Sequence, residues 1–163
     1  MKQGITPNLW FESEAEEAAN FYVSVFPNSK IGSIARFPDA GQEITGGKPG
    51  SVMTAEFTVN GQTIIGINGG PLFKPNESVS LMITCDTQEE VDELWERLTA
   101  DGGAESQCGW LKDKYGFSWQ IIPGGMNELF SDPDKSKAER AMKAILQMKK
   151  LDINALKKAA EEE

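Results

Sequence analysis

One pattern occurs twice in this chain, and the repeat limits the folds open to it more than any other feature. EEAANFY (16–22) aligns with EEVDELW (89–95), placing Phe21 on Leu94, an offset of 73 residues (94 minus 21). In the strands ahead of these helices the offset is 72 (80 minus 8): Asn8 falls on Ser80 and Phe11 on Ile83. Side chains alternate along a strand, so Leu9 and Phe11 match Leu81 and Ile83 on the helix-facing side. Asn8 and Trp10 then match Ser80 and Met82 on the other side.

The first copy reads as strand ITPNLWF (5–11), helix ESEAEEAANFYVSVF, and strands at 29–37, 51–59 and 62–68. Ser13 is the expected helix cap, with Glu16 three residues on, and Pro27-Asn28 ends the helix. Ala15, Ala18, Ala19, Tyr22, Val25 and Phe26 form its apolar stripe. Asn60-Gly61 is a strong hairpin signal, and DAGQEITGGKPG (39–50) reads as a flexible loop. The second copy has strand SVSLMITC (78–85) and a helix capped by Asp86 or Thr87, with Val91, Leu94, Trp95 and Leu98 as its stripe and Gly102-Gly103 as its end. AESQCGWL and GFSWQIIP follow, joined by KDKY, so the second copy shows one strand fewer. These boundaries predict a two-module domain over 1–125, module 1 at about 4–70 and module 2 at about 76–125, linked by GGPLFKPNE. Residues 126–163 read as a helical extension of the same domain, with Asp152 capping the last helix. Its stripe Met142, Ile145, Met148, Leu151 is an expected dimer surface, the alternative being that it packs back on its own sheet.

Composition removes whole classes of chemistry. There is no histidine among the 163 residues. Serine and cysteine nucleophiles activated by histidine, HExxH sites and every histidine-based metal centre are therefore excluded. Two cysteines cannot build a cysteine-rich zinc site, and no EF-hand spacing is present. Neither a metal nor another cofactor is expected. Cys85 and Cys108 fall in strand-like segments and read as reduced, buried small hydrophobes. A net charge of −9 argues against nucleic acid. No apolar run approaches membrane-spanning length, and the N-terminus lacks a signal-peptide core, so no membrane partner and a cytoplasmic location are expected.

The final strand carries the candidate site. Phe117, Trp119 and Ile121 alternate with Ser118, Gln120 and Ile122, so a hydrophobic strand has a polar face. Helices on one face of a sheet leave the other face to be covered. Two such units side by side can curl into a half-barrel whose inner face is a ligand cavity. That face would carry Asn8, Trp10, Ser80, Met82, Ser118 and Gln120. The bland alternative has it facing solvent; Trp95 and Trp119 read as core.

EAEEAANFYVSVFPNS (14–29), NGQTIIGINGGP (60–71), CGWLKDKYGFSWQIIP (108–123) and AMKAILQMKKLDINAL (141–156) resemble the PhnB-like group. That group is often labelled 3-demethylubiquinone-9 3-methyltransferase and lies within the vicinal oxygen chelate (glyoxalase/bleomycin resistance/dioxygenase) superfamily. The resemblance implies an α+β fold of two paired βαβββ modules, a small-molecule cavity and a homodimer. It also implies where metal ligands would stand. The superfamily's metalloenzymes place histidines at positions matching Asn8 and Ser80. Their glutamates would fall at Gln120 and, in module 1, at Ile65 or Gly66.

Three functions compete. The first is a metal-free binding protein that sequesters or senses a small aromatic or apolar compound, with Trp10 and Met82 suited to stacking and apolar contact. The second is methyl transfer, which needs an S-adenosylmethionine site; GINGGP is the best candidate turn but leads into no helix. The third is acid–base chemistry by Glu56, Asp113 or Glu105 beside the cavity, and whether the chain is an enzyme stays open.

Overall fold

Small residues let the first helix lie close to its sheet. The computed structural model describes residues 4–40, 43 and 46–162, so loop 39–50 lies partly outside the described residues. The chain divides into two compact units, Met1–Pro75 and Asn76–Glu163. In the first, β1 (Asn8–Phe11), β2 (Lys30–Arg36), β3 (Val52–Val59) and β4 (Gln62–Asn68) form one sheet in the order β1-β4-β3-β2. β1 runs parallel to β4, and the other pairings are antiparallel. Helix α1 (Ala15–Val25) buries Ala15, Ala18, Ala19, Tyr22 and Val25. The sheet answers with Leu9, Phe11, Ala55, Phe57, Val59 and Ile64, all buried. Tyr22 stacks on Phe57 at 5.8 Å between ring centroids. Each such large apolar side chain contributes about 1.5–3 kcal/mol by burial. Gly66 sits beneath the helix: a Cβ there would stand 3.0 Å from that of Ala15. β3 and β4 join through Asn60 (φ 44°) and Gly61 (φ 83°), two left-handed residues that suit a two-residue hairpin between the paired Val59 and Gln62.

Ser13 does not cap α1. Glu14 occupies the cap position without a side-chain bond, and Asn68 Oδ1, from the end of β4, accepts from the Ala15 N–H at 2.8 Å. A distant amide has taken the role the local sequence offered to serine.

The second unit repeats the topology. β5 (Ser80–Cys85), β6 (Ala104–Glu105), β7 (Trp110–Lys112) and β8 (Ser118–Pro123) are ordered β5-β8-β7-β6, with β5 parallel to β8. The second copy therefore lacks no strand. AESQCGWL is two strands, because a turn across 106–109 breaks it: Cys108 (φ 58°) and Gly109 (φ 83°) are both left-handed. Cys108 is thus a half-buried turn residue, not a strand residue; both thiols are free. Cys85 is buried, and desolvation pushes its thiol up to about 11. Helix α2 (Gln88–Thr99) buries Val91, Leu94, Trp95 and Leu98. Thr87 caps it, accepting from the Glu90 N–H at 3.2 Å, while Glu90 Oε2 accepts from the Asp86 N–H at 2.7 Å. A short 3-10 turn, Ala100–Gly102, follows α2.

Three further helices, α3 (Met126–Phe130), α4 (Lys135–Ile145) and α5 (Ile153–Glu161), complete this unit. Asp152 caps α5, accepting from the Asn154 and Ala155 N–H groups. The expected dimer stripe is mostly covered by its own unit. Ile145 and Leu151 are buried with Leu156, and Met148, Cys108 and Ile122 pack against them. Met142 keeps 46% exposure and Leu146 59%, too little for the continuous apolar face the sequence suggested. Backbone bonds pin the segment: Cys108 N–H to Met148 O at 2.8 Å and Gly109 N–H to Lys149 O at 2.7 Å. Among the described residues no helix is long and apolar enough to cross a membrane.

Candidate functional site

Strand pairing fixes which side chains share a face, because directly paired residues point the same way. In the second unit the pairs Ser80–Ser118 and Ser118–Lys112 make one row across three strands. Met82–Gln120 and Gln120–Trp110 make the next. Helix α2 covers the opposite face, where Trp119 and Ile121 are buried. Ser80, Met82, Ser118 and Gln120 are thus brought together as the polar side of β5 and β8. In the first unit the corresponding rows are Asn8–Ile65–Glu56 and Trp10–Ile67–Thr54.

The polar groups of the second unit are partly engaged. Gln120 Nε2 donates to Ser80 Oγ at 2.8 Å. Ser118 is buried, and its hydroxyl has no hydrogen-bond partner among the described residues. Lys112 is paired with Glu77, and its hydrogen bond, more than any other cause, holds the Glu77 carboxyl below its usual range. Met82 is 65% exposed and Trp110 half-buried. Ile122, two residues beyond Gln120 and on the same side, packs against the C-terminal cluster.

In the first unit Asn8 is exposed, its Nδ2 donating to Thr6 O at 3.0 Å. Trp10 donates from Nε1 to Gly70 O at 2.9 Å and meets Phe73 edge-on at 4.9 Å. Pairing corrects one assignment. With Asn8 matched to Ser80 and Trp10 to Met82, the counterpart of Gln120 is the partner of Trp10, Ile67, not Ile65 or Gly66. The implied metal-ligand set is therefore Asn8, Ile67, Ser80 and Gln120. It does not fit a divalent cation: one member has no donor, the rest are neutral, and two already bond to each other. No group of three or more carboxylates and cysteines is placed to hold a metal among the described residues.

Two of the three carboxylates considered for acid–base work, Asp113 and Glu105, have other partners. Asp113 is buried and clamps the KDKY turn, accepting from the Tyr115 and Phe117 N–H groups and from Trp119 Nε1 at 2.8 Å. Glu105 accepts from Trp95 Nε1 at 2.9 Å, the main cause of its lowered pKa, and pairs with Lys149. Glu56 lies over β2, where a Cβ on Gly32 would come 2.6 Å from its Oε1. The GINGGP turn is likewise engaged in the fold. Asn68 caps α1 and donates to Val52 O, the Gly69 and Gly70 N–H groups bond to Phe11 and Glu12 carbonyls, and the Trp10 ring fills the space beside Gly69. It does not fit an S-adenosylmethionine cradle.

A separate cleft of about 910 Å³ lies in the first unit, between the start of α1 and the segment 46–52, with Glu12, Glu16, Phe37 and Lys48 on its walls.

Sequence reasoning missed Trp110 and Lys112. The signal was present in the hairpin: counting outward from the Asp113–Phe117 turn pairs Lys112 with Ser118 and Trp110 with Gln120. Reading 104–111 as one strand concealed it.

The sequence profile of the family described as 3-demethylubiquinone-9 3-methyltransferase matches residues 3–122, ending within β8. No curated protein matches the chain. Among solved structures it is similar to a PhnB protein of Bacillus cereus named as a 3-demethylubiquinone-9 3-methyltransferase, at 40% identity and TM-score 0.64, covering 75% of this chain and 100% of that one. A protein of Pseudomonas aeruginosa matches at 18% identity and TM-score 0.59, covering 75% and 98%. The fosfomycin resistance protein FosX of Listeria monocytogenes, in complex with Mn(II) and sulfate, matches at 16% identity and TM-score 0.54, covering 80% and 96%. These likenesses place the two βαβββ modules in the glyoxalase/bleomycin-resistance-like fold of the vicinal oxygen chelate superfamily.

Proposed function

The chain belongs to the 3-demethylubiquinone-9 3-methyltransferase family, and from that premise we propose that it binds or sequesters a small organic molecule without a metal, on the polar face of its second module. The observation that carries this reading is the Gln120–Ser80 hydrogen bond. Two positions that would supply metal ligands form a neutral polar pair instead, beside Trp110 and Met82. A few polar groups set among apolar and aromatic side chains suit an organic ligand. Asn8 and Trp10 are proposed as ligand-contacting positions on the matching face of the first module's own sheet. A thermal-shift screen of quinones, antibiotics and aromatic metabolites tests it, since a ligand of the native state raises the melting temperature by mass action. Hits whose effect survives chelator and disappears in Gln120→Leu are expected; no hit at millimolar concentration, or hits only with added Mn(II), would overturn it.

The family's description favours a second reading, methyl transfer. The engaged GINGGP turn weighs against it, and S-adenosylmethionine in the same screen decides it: stabilisation at micromolar concentration would favour that reading. The homodimer implied by the resemblance also remains a proposal, as does a cytoplasmic location. The C-terminal stripe no longer supplies the dimer surface, so sedimentation must test the dimer independently of that helix.

A further inference from the structure

We propose that the Ser80–Ser118–Gln120 cluster recognises an uncharged group that donates and accepts hydrogen bonds at neighbouring atoms, such as a carboxamide or lactam, carried on an aromatic ring that lies against Trp110 and Met82. This rests on the small-molecule reading above and names its ligand class. With Gln120 Nε2 donating to Ser80 Oγ, Gln120 Oε1 is left as an acceptor and the Ser80 hydroxyl proton as a donor. The pair therefore presents one acceptor and one donor side by side, which an amide complements with its own N–H and C=O. Ser118 supplies a third point. Its buried hydroxyl has no partner among the described residues, an arrangement that is destabilising until some group meets it. Neighbouring atoms cover that oxygen, so a ligand group meets it only by displacing them.

Charge argues for neutrality. The cation in these two rows is Lys112, and Glu77 already neutralises it. An anion entering the Ser118–Lys112 row must separate that pair and set its own charge beside Glu77. A cation finds no carboxylate within the rows themselves. An amide needs neither to move.

The test uses the full chain and four probes, 2-naphthamide, methyl 2-naphthoate, 2-naphthoate and Mn(II), followed by calorimetry and tryptophan fluorescence. The amide is expected to bind at least about tenfold more tightly than the ester or the carboxylate, the difference one satisfied polar pair makes. Gln120→Leu and Ser118→Ala should each bring the amide down to the ester's affinity while leaving the ester unchanged. Ser118→Ala guards against a folding artefact, because it removes a buried hydroxyl that bonds to nothing in the free protein. Tightest binding of the carboxylate, strengthening by Mn(II), or an amide-to-ester ratio unchanged in both variants would overturn the proposal. Failure of every naphthyl compound would also overturn it. The wider reading falls only if the thermal-shift screen is empty as well.

Discussion

The two units share a strand order and differ, position by position, in what they put on each face. Beneath the helix, Gly66 in the first unit corresponds to Trp119 in the second, as partners of Leu9 and Leu81. The first unit packs by close approach, with alanines over glycine. The second packs by filling, with an indole whose N–H is anchored on buried Asp113. On the other face Ile65 and Ile67 correspond to Ser118 and Gln120. One fold has thus been given two different helix-facing sides and two different opposite faces, and the polar, partly unsatisfied face belongs to the unit that packs an indole beneath its helix. Topology is set by the alternation of apolar residues; the chemistry of the free face is independent of it.

Substitutions at the paired positions can break that comparison. Trp119→Ala should cost the most, about 3–5 kcal/mol, as a buried aromatic is lost. It also deprives Asp113 of one donor. Urea denaturation showing a loss below about 1 kcal/mol would mean that the second unit does not pack by filling. Gly66→Val should cost about 1–3 kcal/mol by overpacking against Ala15. A neutral result there would remove the close-approach half of the contrast. Helix caps sharpen the comparison at a smaller scale. Thr87→Ala should destabilise by about 0.5–2 kcal/mol, because its hydroxyl holds the Glu90 N–H. Ser13→Ala should stay within about 0.5 kcal/mol, since Asn68 does that work for α1. Equal losses at Thr87 and Ser13 would contradict the assignment of caps.

The repeat made the modules legible because strand alternation and helical stripes are local signals. Leu9, Phe11, Tyr22 and Leu98 are buried where periodicity puts them. What escaped was set by contacts distant in sequence. The cap on α1 comes from Asn68, 53 residues away, and no local motif announces it. The split of β6 from β7 depends on a left-handed Cys108, a conformation seldom adopted by a cysteine, held by the Met148 carbonyl from the C-terminal segment. Ile145 and Leu151 pack with Leu156 in the same unit, so a stripe exposed by helical-wheel reasoning is mostly covered in the fold, Met142 excepted. At the site, Ser118 and Gln120 were legible from alternation alone. Their neighbours Trp110 and Lys112 required the hairpin register, which a one-residue slip would have turned to the opposite face.

The central claim is that a neutral hydrogen-bonded pair stands where metal ligation would be expected. Nuclear magnetic resonance of the Gln120 side-chain amide, with Mn(II) added to the ¹⁵N-labelled chain, tests it most directly. The account predicts that equimolar Mn(II) leaves the Gln120 amide signals sharp, while 2-naphthamide shifts them and Gln120→Leu identifies them by their loss. Selective broadening of the Gln120 amide by equimolar Mn(II), reversed by chelator, would contradict it.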